Sequence, residues 1–410
     1  MSRLIKINIV KLVFSIIILV IFSMCAIINC LNINNYLPEV YEYQRKNDLN
    51  LITFKDIERL KNNYNNFNIM PLSEKNSVVS NQNLSRNVEN KVVFTNEIFL
   101  EFYNINIIEG SFLDEYMVRQ HKKVAVISDS TAISLFMNTS VIGNKILIND
   151  QIYEIVGVYE ENKNLLNELS SDGYSKIFVP YTSNYNYEES YVEIFSLSIN
   201  SDKGTTEVEN KIRKYVGEKF DSYRKVDFYK LKKVAIEVVE ISKFFIGIIL
   251  CSYIINIIIK IMSKQYNLIK NDMKNYYLNE IIKNRRKILI NSLFKIIILI
   301  VLIIIIFSNV KFKITILPEW LPDTNIFDIN YYKSEIFRFI QLCNSNESYI
   351  RTINNNYVFV SIVVQIINSI MIVVAFSSLC IKIKEIKICY EEVKNKRIFS
   401  DGYIDNNIMK

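Results

Sequence analysis

Apolar residues are unevenly distributed along the chain. They concentrate in four runs, at residues 9–31, 241–262, 288–309 and 357–381, and the stretches between are polar and rich in Asn, Lys, Ile and Tyr. Each run meets the roughly 20 residues that a helix needs to cross a bilayer core, where lipid offers no partner to backbone N–H and C=O groups. The first run is almost unbroken. The second contains Lys243 and Asn256, the third Lys295 near its start, and the fourth Gln365 and Asn368 near its middle. The pattern predicts a membrane protein with one transmembrane helix, a long polar segment, and then three more helices.

Within residues 32–240 the periodicity changes repeatedly. Thr53 ahead of Phe54-Lys55-Asp56-Ile57-Glu58-Arg59-Leu60 reads as an N-cap and a short amphipathic helix. Residues 62–90 are rich in Asn and Ser, and no element is placed there. Val124-Ala125-Val126-Ile127 reads as a buried strand, followed by Ser128-Asp129-Ser130 capping a helix with Ala132, Ile133, Leu135 and Phe136. Residues 145–148 and 151–159 form a hairpin around Asn149-Asp150, with Gly157 marking a bulge or a close backbone approach. Further strands are expected at 176–181 and 193–200, and a helix at 206–220 with Val208, Ile212, Tyr215 and Val216 on one face. Mixed strands and helices define an α+β domain.

Basic residues orient the chain, because short cytoplasmic segments carry the Lys/Arg excess. Arg3, Lys6 and Lys11 stand at the start of the first run. Lys264, Lys270, Lys274, Lys283, Arg285, Arg286 and Lys287 fill the segment between the second and third, and Lys382, Lys384, Lys387, Lys394, Lys396 and Arg397 follow the fourth. All three clusters fall on one face. The expected layout is residues 1–31 as cytoplasmic N-terminus and first helix, and 32–240 as an extracytoplasmic α+β domain. The second helix follows at 241–262, a basic cytoplasmic coupling loop at 263–287, and the third helix at 288–309. An extracytoplasmic loop at 310–356, the fourth helix at 357–381 and a cytoplasmic tail at 382–410 complete it. The first run has the basic start of a secretory signal, but its core is long and no small-x-small site follows, so it reads as an uncleaved anchor. The net charge of +7 then belongs to the membrane flanks and not to a nucleic-acid surface. The excess of Asn, Lys and Ile fits an AT-rich, bacterial genome.

Little in the sequence carries chemistry. Of six cysteines, Cys25, Cys30, Cys251 and Cys380 lie inside apolar runs, Cys389 follows the last, and only Cys343 is expected outside, so no disulfide framework is expected. The single histidine, His121, sits in the basic stretch Arg119-Gln120-His121-Lys122-Lys123 and reads as an exposed loop residue. No GxxxxGK[ST] loop is present. No catalytic, cofactor-binding or metal-binding residues are assigned. Asn256, Gln365 and Asn368 are expected to hydrogen-bond between helices, because an unpaired polar group in lipid is costly. With so few polar groups, four spans do not line an aqueous channel in one chain, which favours a dimeric or pseudo-dimeric assembly. The loop 263–287, with Tyr266, Leu268, Ile269, Met273, Tyr276, Tyr277 and Ile281 among its basic residues, reads as an amphipathic helix lying along the anionic lipid surface.

The ordered segments Val124-Ala125-Val126-Ile127-Ser128, Leu135-Phe136, Val141-Ile142-Gly143-Asn144-Lys145-Ile146, Tyr153-Glu154-Ile155-Val156-Gly157-Val158 and Ile177-Phe178-Val179-Pro180-Tyr181 resemble the extracytoplasmic core domain of MacB-type, FtsX-like permeases of ABC transporters. Upstream, Phe94 to Phe99 and Ile108-Glu109-Gly110-Ser111-Phe112 resemble the approach to the same domain, and the one-plus-three helix layout matches. The resemblance implies a permease subunit, itself not an enzyme, that partners a separate cytoplasmic ABC ATPase and a second or homologous permease copy within membrane lipids. It also implies an outside domain acting on a peptide, lipid or lipoprotein, and an ATPase-coupling loop at Lys264, Gln265, Tyr266, Asn267, Leu268 and Ile269. The stretch Lys264 to Asp272 departs from the family: it keeps a basic start and an apolar pair but lacks the expected Glu and Gly. The alternative, favoured by that departure, is a non-transporting membrane sensor or scaffold that binds an extracytoplasmic ligand or cell-wall enzyme.

Overall fold

The structure is a computed structural model and describes residues 3–46, 49–63, 68–81, 86–161, 164–198, 202–274, 277–310, 315, 321–322, 325–344 and 353–405. Among these residues four helices are long and apolar enough to cross a membrane: Arg3–Tyr36, Glu240–Asp272, Arg286–Asn309 and Ile353–Asp405. Each overruns the apolar run read from the sequence. Residues 263–272 and 382–401 contain neither Gly nor Pro, so nothing stops the helical ladder where the apolar residues end. The segment 263–287 therefore differs from the separate surface helix expected of it. The second apolar helix continues through it to Asp272, a turn follows, and a seven-residue helix, Leu278–Asn284, leads into Arg286.

The chain divides into two compact units. One comprises Met1–Ile28, Ile236–Ile314 and Val364–Lys410; the other comprises Asn29–Ala235 and Thr315–Val363. The second is the α+β domain together with the ends of the apolar helices that enter it.

Its strands are β1 (Tyr41–Arg45), β2 (Ile69–Asn81), β3 (Arg86–Thr95), β4 (Ile107–Gly110), β5 (Val124–Ser128), β6 (Lys145–Ile148), β7 (Gln151–Tyr159), β8 (Lys176–Pro180), β9 (Ile194–Leu197) and β10 (Tyr223–Asp227). They lie in the order β10-β1-β9-β2-β3-β8-β5-β7-β4, with β6 against both β2 and β7. The long β2 joins two halves, pairing through Ile69–Leu72 with β9 and through Ser73–Asn81 with β3. In the second half the pairings return on themselves: β2 to β3, β3 to β8, β8 to β5, β5 to β7, β7 to β6, and β6 back to β2. A closed ring hides the edges that an open sheet would leave unpaired.

Each half has its own core. The ring encloses Val79, Val92, Ala125, Ile127, Ile146, Ile155, Ile177 and Val179, with Ala132 and Leu135 of the helix Asp129–Phe136 packed among them. Ser128 caps that helix, its Oγ accepting the Thr131 N–H at 3.1 Å. The other core gathers Tyr43, Ile52, Phe54, Leu60, Phe195, Ile212 and Tyr223 under the helices Phe54–Asn63 and Asp202–Val216. Thr53 and Asp56 cap the first of these reciprocally, through N–H to side-chain oxygen bonds of 3.1 and 3.3 Å. The second begins earlier than the pattern implied and ends at Gly217, whose φ of +63° is a left-handed helix stop.

Between β6 and β7, Asn149 and Asp150 both take positive φ, 48° and 61°, as a tight two-residue hairpin turn demands. Gly157 fulfils both of its expected roles. The β5–β7 register slips between Ala125 and Val126, and a Cβ at Gly157 would lie 2.2 Å from the Ser111 carbonyl oxygen.

Candidate functional site

In the unit that holds most of the apolar helices, two pairs of them are in contact, and Ser369 of the fourth also donates to the Val238 carbonyl oxygen ahead of the second at 3.4 Å. The helices Glu240–Asp272 and Arg286–Asn309 pack as a hairpin. Near one end Gly247 leaves room for Val310: a Cβ there would come within 2.7 Å of a Val310 methyl group. At the other end Arg285 grips Asp272 twice, Nη2 donating to Oδ1 at 3.1 Å and Nε pairing with Oδ2. These two contacts are separated along the helix by about 37 Å at 1.5 Å per residue. Ile281, in the short helix inside the turn, is 2% exposed.

The first and fourth apolar helices form the other pair. Ser15 and Ser378 share a hydrogen bond at 3.1 Å, and Gln365 Nε2 donates to the Ala26 carbonyl oxygen at 3.2 Å. Within the α+β unit the rings of Tyr36 and Tyr357 stack with centroids 4.2 Å apart. Ascending positions on one helix meet descending positions on the other, which is an antiparallel register. The small or hydroxyl side chains Ser15, Ala26 and Ser378 at these contacts let the backbones approach closely.

The polar residues singled out within the spans separate in this arrangement. Gln365 lies against the first helix and Asn368 is buried nearby on the fourth, whereas Asn256 faces outward on the second. Lys243, near the start of its helix, pairs with Glu240 one turn away. Lys264, Gln265, Tyr266, Asn267, Leu268 and Ile269 all lie on the helix that continues from the second span. Lys264, Asn267 and Leu268 line a shallow groove along one side of that helix, with Ser263 and Asn271.

In the α+β unit the densest charged cluster stands on β2, β3 and β8. Glu74 receives Lys176 at 2.9 Å and Lys91 at 3.2 Å, and Lys91 also holds Asp172. Burial alone would raise the Glu74 carboxyl; the two lysines outweigh it and hold the group below its ordinary value. The Glu74 N–H donates to Glu193 Oε2 at 3.0 Å. Burial raises the Glu193 carboxyl, and here the Glu74 N–H and Arg45 do not compensate. Sequence periodicity does not find this cluster, because its members lie on three strands distant in the chain.

His121 is exposed in a loop with a positive φ of 51°, its Nδ1 3.3 Å from the Thr182 carbonyl oxygen and its ring against Tyr187. Cys25, Cys30, Cys251, Cys380 and Cys389 form no disulfide among the described residues, and the Cys343 side chain lies outside them. Among the described residues no three metal-ligating side chains converge.

Residues 21–215 match the family model of the MacB-like periplasmic core domain. The chain thus carries a MacB-like core domain between the first and second of four apolar helices, which is the layout of a MacB-type, FtsX-like ABC permease. The macrolide export ATP-binding/permease protein MacB of Marinobacter nauticus is 29% identical over 77 residues, covering 19% of this chain and 12% of that protein. The matched stretch is therefore a small part of that relative's length. The solved periplasmic region of MacB from Actinobacillus actinomycetemcomitans superposes with a TM-score of 0.40 at 15% identity, covering 49% of this chain and 94% of that one. The extracellular domain of YknZ, a noncanonic ABC-type transporter from Gram-positive bacteria, gives a TM-score of 0.36 at 15% identity over 46% and 98%.

Proposed function

We propose that the chain is the permease subunit of an ABC-type complex in a bacterial cell membrane. Both termini and the connection 263–287 lie in the cytoplasm, and the α+β domain lies outside. A separate ATPase docks on that connection and a second permease copy, identical or homologous, completes the assembly. The observation that carries this reading is the MacB-like core domain set between the first and second of four apolar helices.

The coupling segment Lys264–Ile269 belongs to a helix unbroken from Glu240 to Asp272, so a push on the segment is a push on the span itself. The Asp272–Arg285 grip supports this role by tying the third helix to the same end. The chain then acts as a lever on an extracytoplasmic peptide, lipid or lipoprotein and not as a conduit. Affinity purification of the full chain from its native membranes, with and without ATP, tests this. A stoichiometric ABC ATPase in the eluate is the expected result; its absence under every nucleotide condition rejects the permease reading.

The second reading is a sensor or scaffold without transport. It is favoured by the absence of the family's Glu and Gly from the stretch Lys264 to Asp272. Recovery of a cell-wall enzyme or a regulator in place of an ATPase is the outcome that would establish it.

A further inference from the structure

The short helix Leu165–Ser170 presents two leucines to its surroundings. Asn164 caps it, accepting the Asn167 N–H at 2.8 Å, and Leu166 and Ser170 are buried at 1% and 3% exposure. Leu165 and Leu169, one turn apart and so on one face, are 63% and 57% exposed. Single exposed apolar residues are ordinary on a protein surface. This pair differs from others in the domain, such as Leu49 or Met137, in what the helix is fastened to.

Both ends of the helix are fixed to the place where apolar helices enter the domain. Asn356 Nδ2 donates to the Ser170 carbonyl oxygen at 3.4 Å, and Asn164 lies beside Tyr357. Asn356 lies near the start of the fourth apolar helix, one residue ahead of its apolar run. Tyr357, fully buried, stacks on Tyr36, the last residue of the first. The apolar runs themselves stop close to this stacked pair, the first at Leu31 and the fourth at Tyr357, so the pair stands where hydrocarbon gives way to headgroups. That level is a layer only about 5–8 Å deep between the hydrocarbon core and water.

We propose that the helix Leu165–Ser170 lies in the lipid headgroup layer on the domain's own side of the membrane, with Leu165 and Leu169 inserted toward the acyl chains. The occupant of this apolar face is the same bilayer that surrounds the spans, because the face begins where two spans begin. A short helix with an apolar side binds such an interface by burying that side at the acyl boundary. The helix would hold the domain against the membrane at a further point beside the chain crossings at Tyr36 and Asn356. This inference requires the membrane layout alone and does not depend on an ATPase partner.

The test uses the full chain in vesicles of phosphatidylethanolamine and phosphatidylglycerol. Its single tryptophan is replaced by Trp320→Phe, and a reporter is placed by Leu165→Trp or, separately, Leu169→Trp. Tyr185→Trp is the control: Tyr185 is 90% exposed and follows the far end of β8 from Lys176, one of the charged residues close to Tyr36. Both leucine-site reporters are expected to emit at shorter wavelength than the control and to be quenched by lipids brominated near the headgroup about threefold more strongly. Emission and quenching equal to the Tyr185 reporter at both sites overturn the proposal. So does shielding seen in native membranes but lost in the pure-lipid vesicles, which would mean that a protein covers this face. An unaltered protease-resistance pattern establishes folding for each variant, and either leucine site alone carries the test.

Discussion

Asp272 and Arg285 join the two ends of the turn between the second and third apolar helices through a two-point contact, although neither residue belongs to an apolar run. Charge-assisted hydrogen bonds of this kind contribute about 1.5–3 kcal/mol when partly shielded. Arg285→Ala is therefore expected to speed trypsin cleavage at Lys274 and Lys283 by about tenfold in the solubilised full chain. The exchange Asp272→Arg with Arg285→Asp should restore protection. Equal cleavage in the parent and single variants would show that the contact does not hold the turn.

Gly157 offers a sharper test of packing. An added Cβ meets a backbone oxygen of Ser111 that cannot rotate away. Gly157→Ala should destabilise the α+β domain by about 3 kcal/mol, toward the upper end of what single substitutions do. Ile133→Ala, on an exposed helix position, should stay within about 0.5 kcal/mol. Thermal melting of the full chain in detergent distinguishes the two.

The carboxyls of the charged cluster respond to pH in opposite directions. Glu74 is held below its ordinary value of 4.5, so its contribution is present at neutral pH and disappears as the pH falls through its depressed value. Asp56 behaves likewise: burial opposes the shift, but Lys219 and Thr53 dominate it. Melting midpoints should hold steady down to about pH 5 and then drop, with a shallower drop in Glu74→Gln. Glu193 is raised, so its ionisation costs stability as the pH rises from its ordinary value through its folded one. Glu193→Gln keeps an acceptor for the Glu74 N–H and should melt about 2–4 °C higher at pH 7, the shift that about 1 kcal/mol produces in a domain of this size.

The antiparallel register of the first and fourth helices can be checked covalently. In a background without native cysteines, Ser15→Cys with Ser378→Cys should cross-link on mild oxidation, since the two oxygens stand 3.1 Å apart. Ser15→Cys with Asn256→Cys should not, because Asn256 faces outward on another helix. Gln365→Leu should weaken this pair by about 0.6–2 kcal/mol, measured as a lower midpoint in a detergent titration.

Elements with strong local patterns were legible before the structure. The hairpin 145–159 announces itself through Asn149-Asp150, and the helix Asp129–Phe136 through its Ser128 cap. The pair β2 and β3 is not legible, because polar residues such as Ser77, Asn81 and Asn90 are buried while Val78 is exposed, which breaks the alternation that Val79 and Val92 would otherwise show. Its strand character comes from partners on both sides and not from propensity. Helix ends were misjudged wherever polarity changed without a breaker, as at 263–272. Of the candidate site, the segment proposed for coupling and the span residues are placed by sequence position alone. The Asp272–Arg285 grip and the Glu74 cluster depend on tertiary proximity that no spacing rule encodes.

The strands that begin and end the domain are themselves neighbours: Tyr41 pairs with Asp227, and the ladder runs from there to Arg45 against Tyr223. The chain enters β1 five residues after the first apolar helix ends, and it leaves β10 directly into the helix Phe228–Glu237, which precedes the second span. Tension that draws these two ends apart does not shear all the rungs of the ladder at once. It loads the Tyr41–Asp227 rung first and then each rung in turn, like a zipper opened from its tab. The junction is thus mechanically soft toward any force that separates its two chain ends, while the closed ring beyond it has no free end to open.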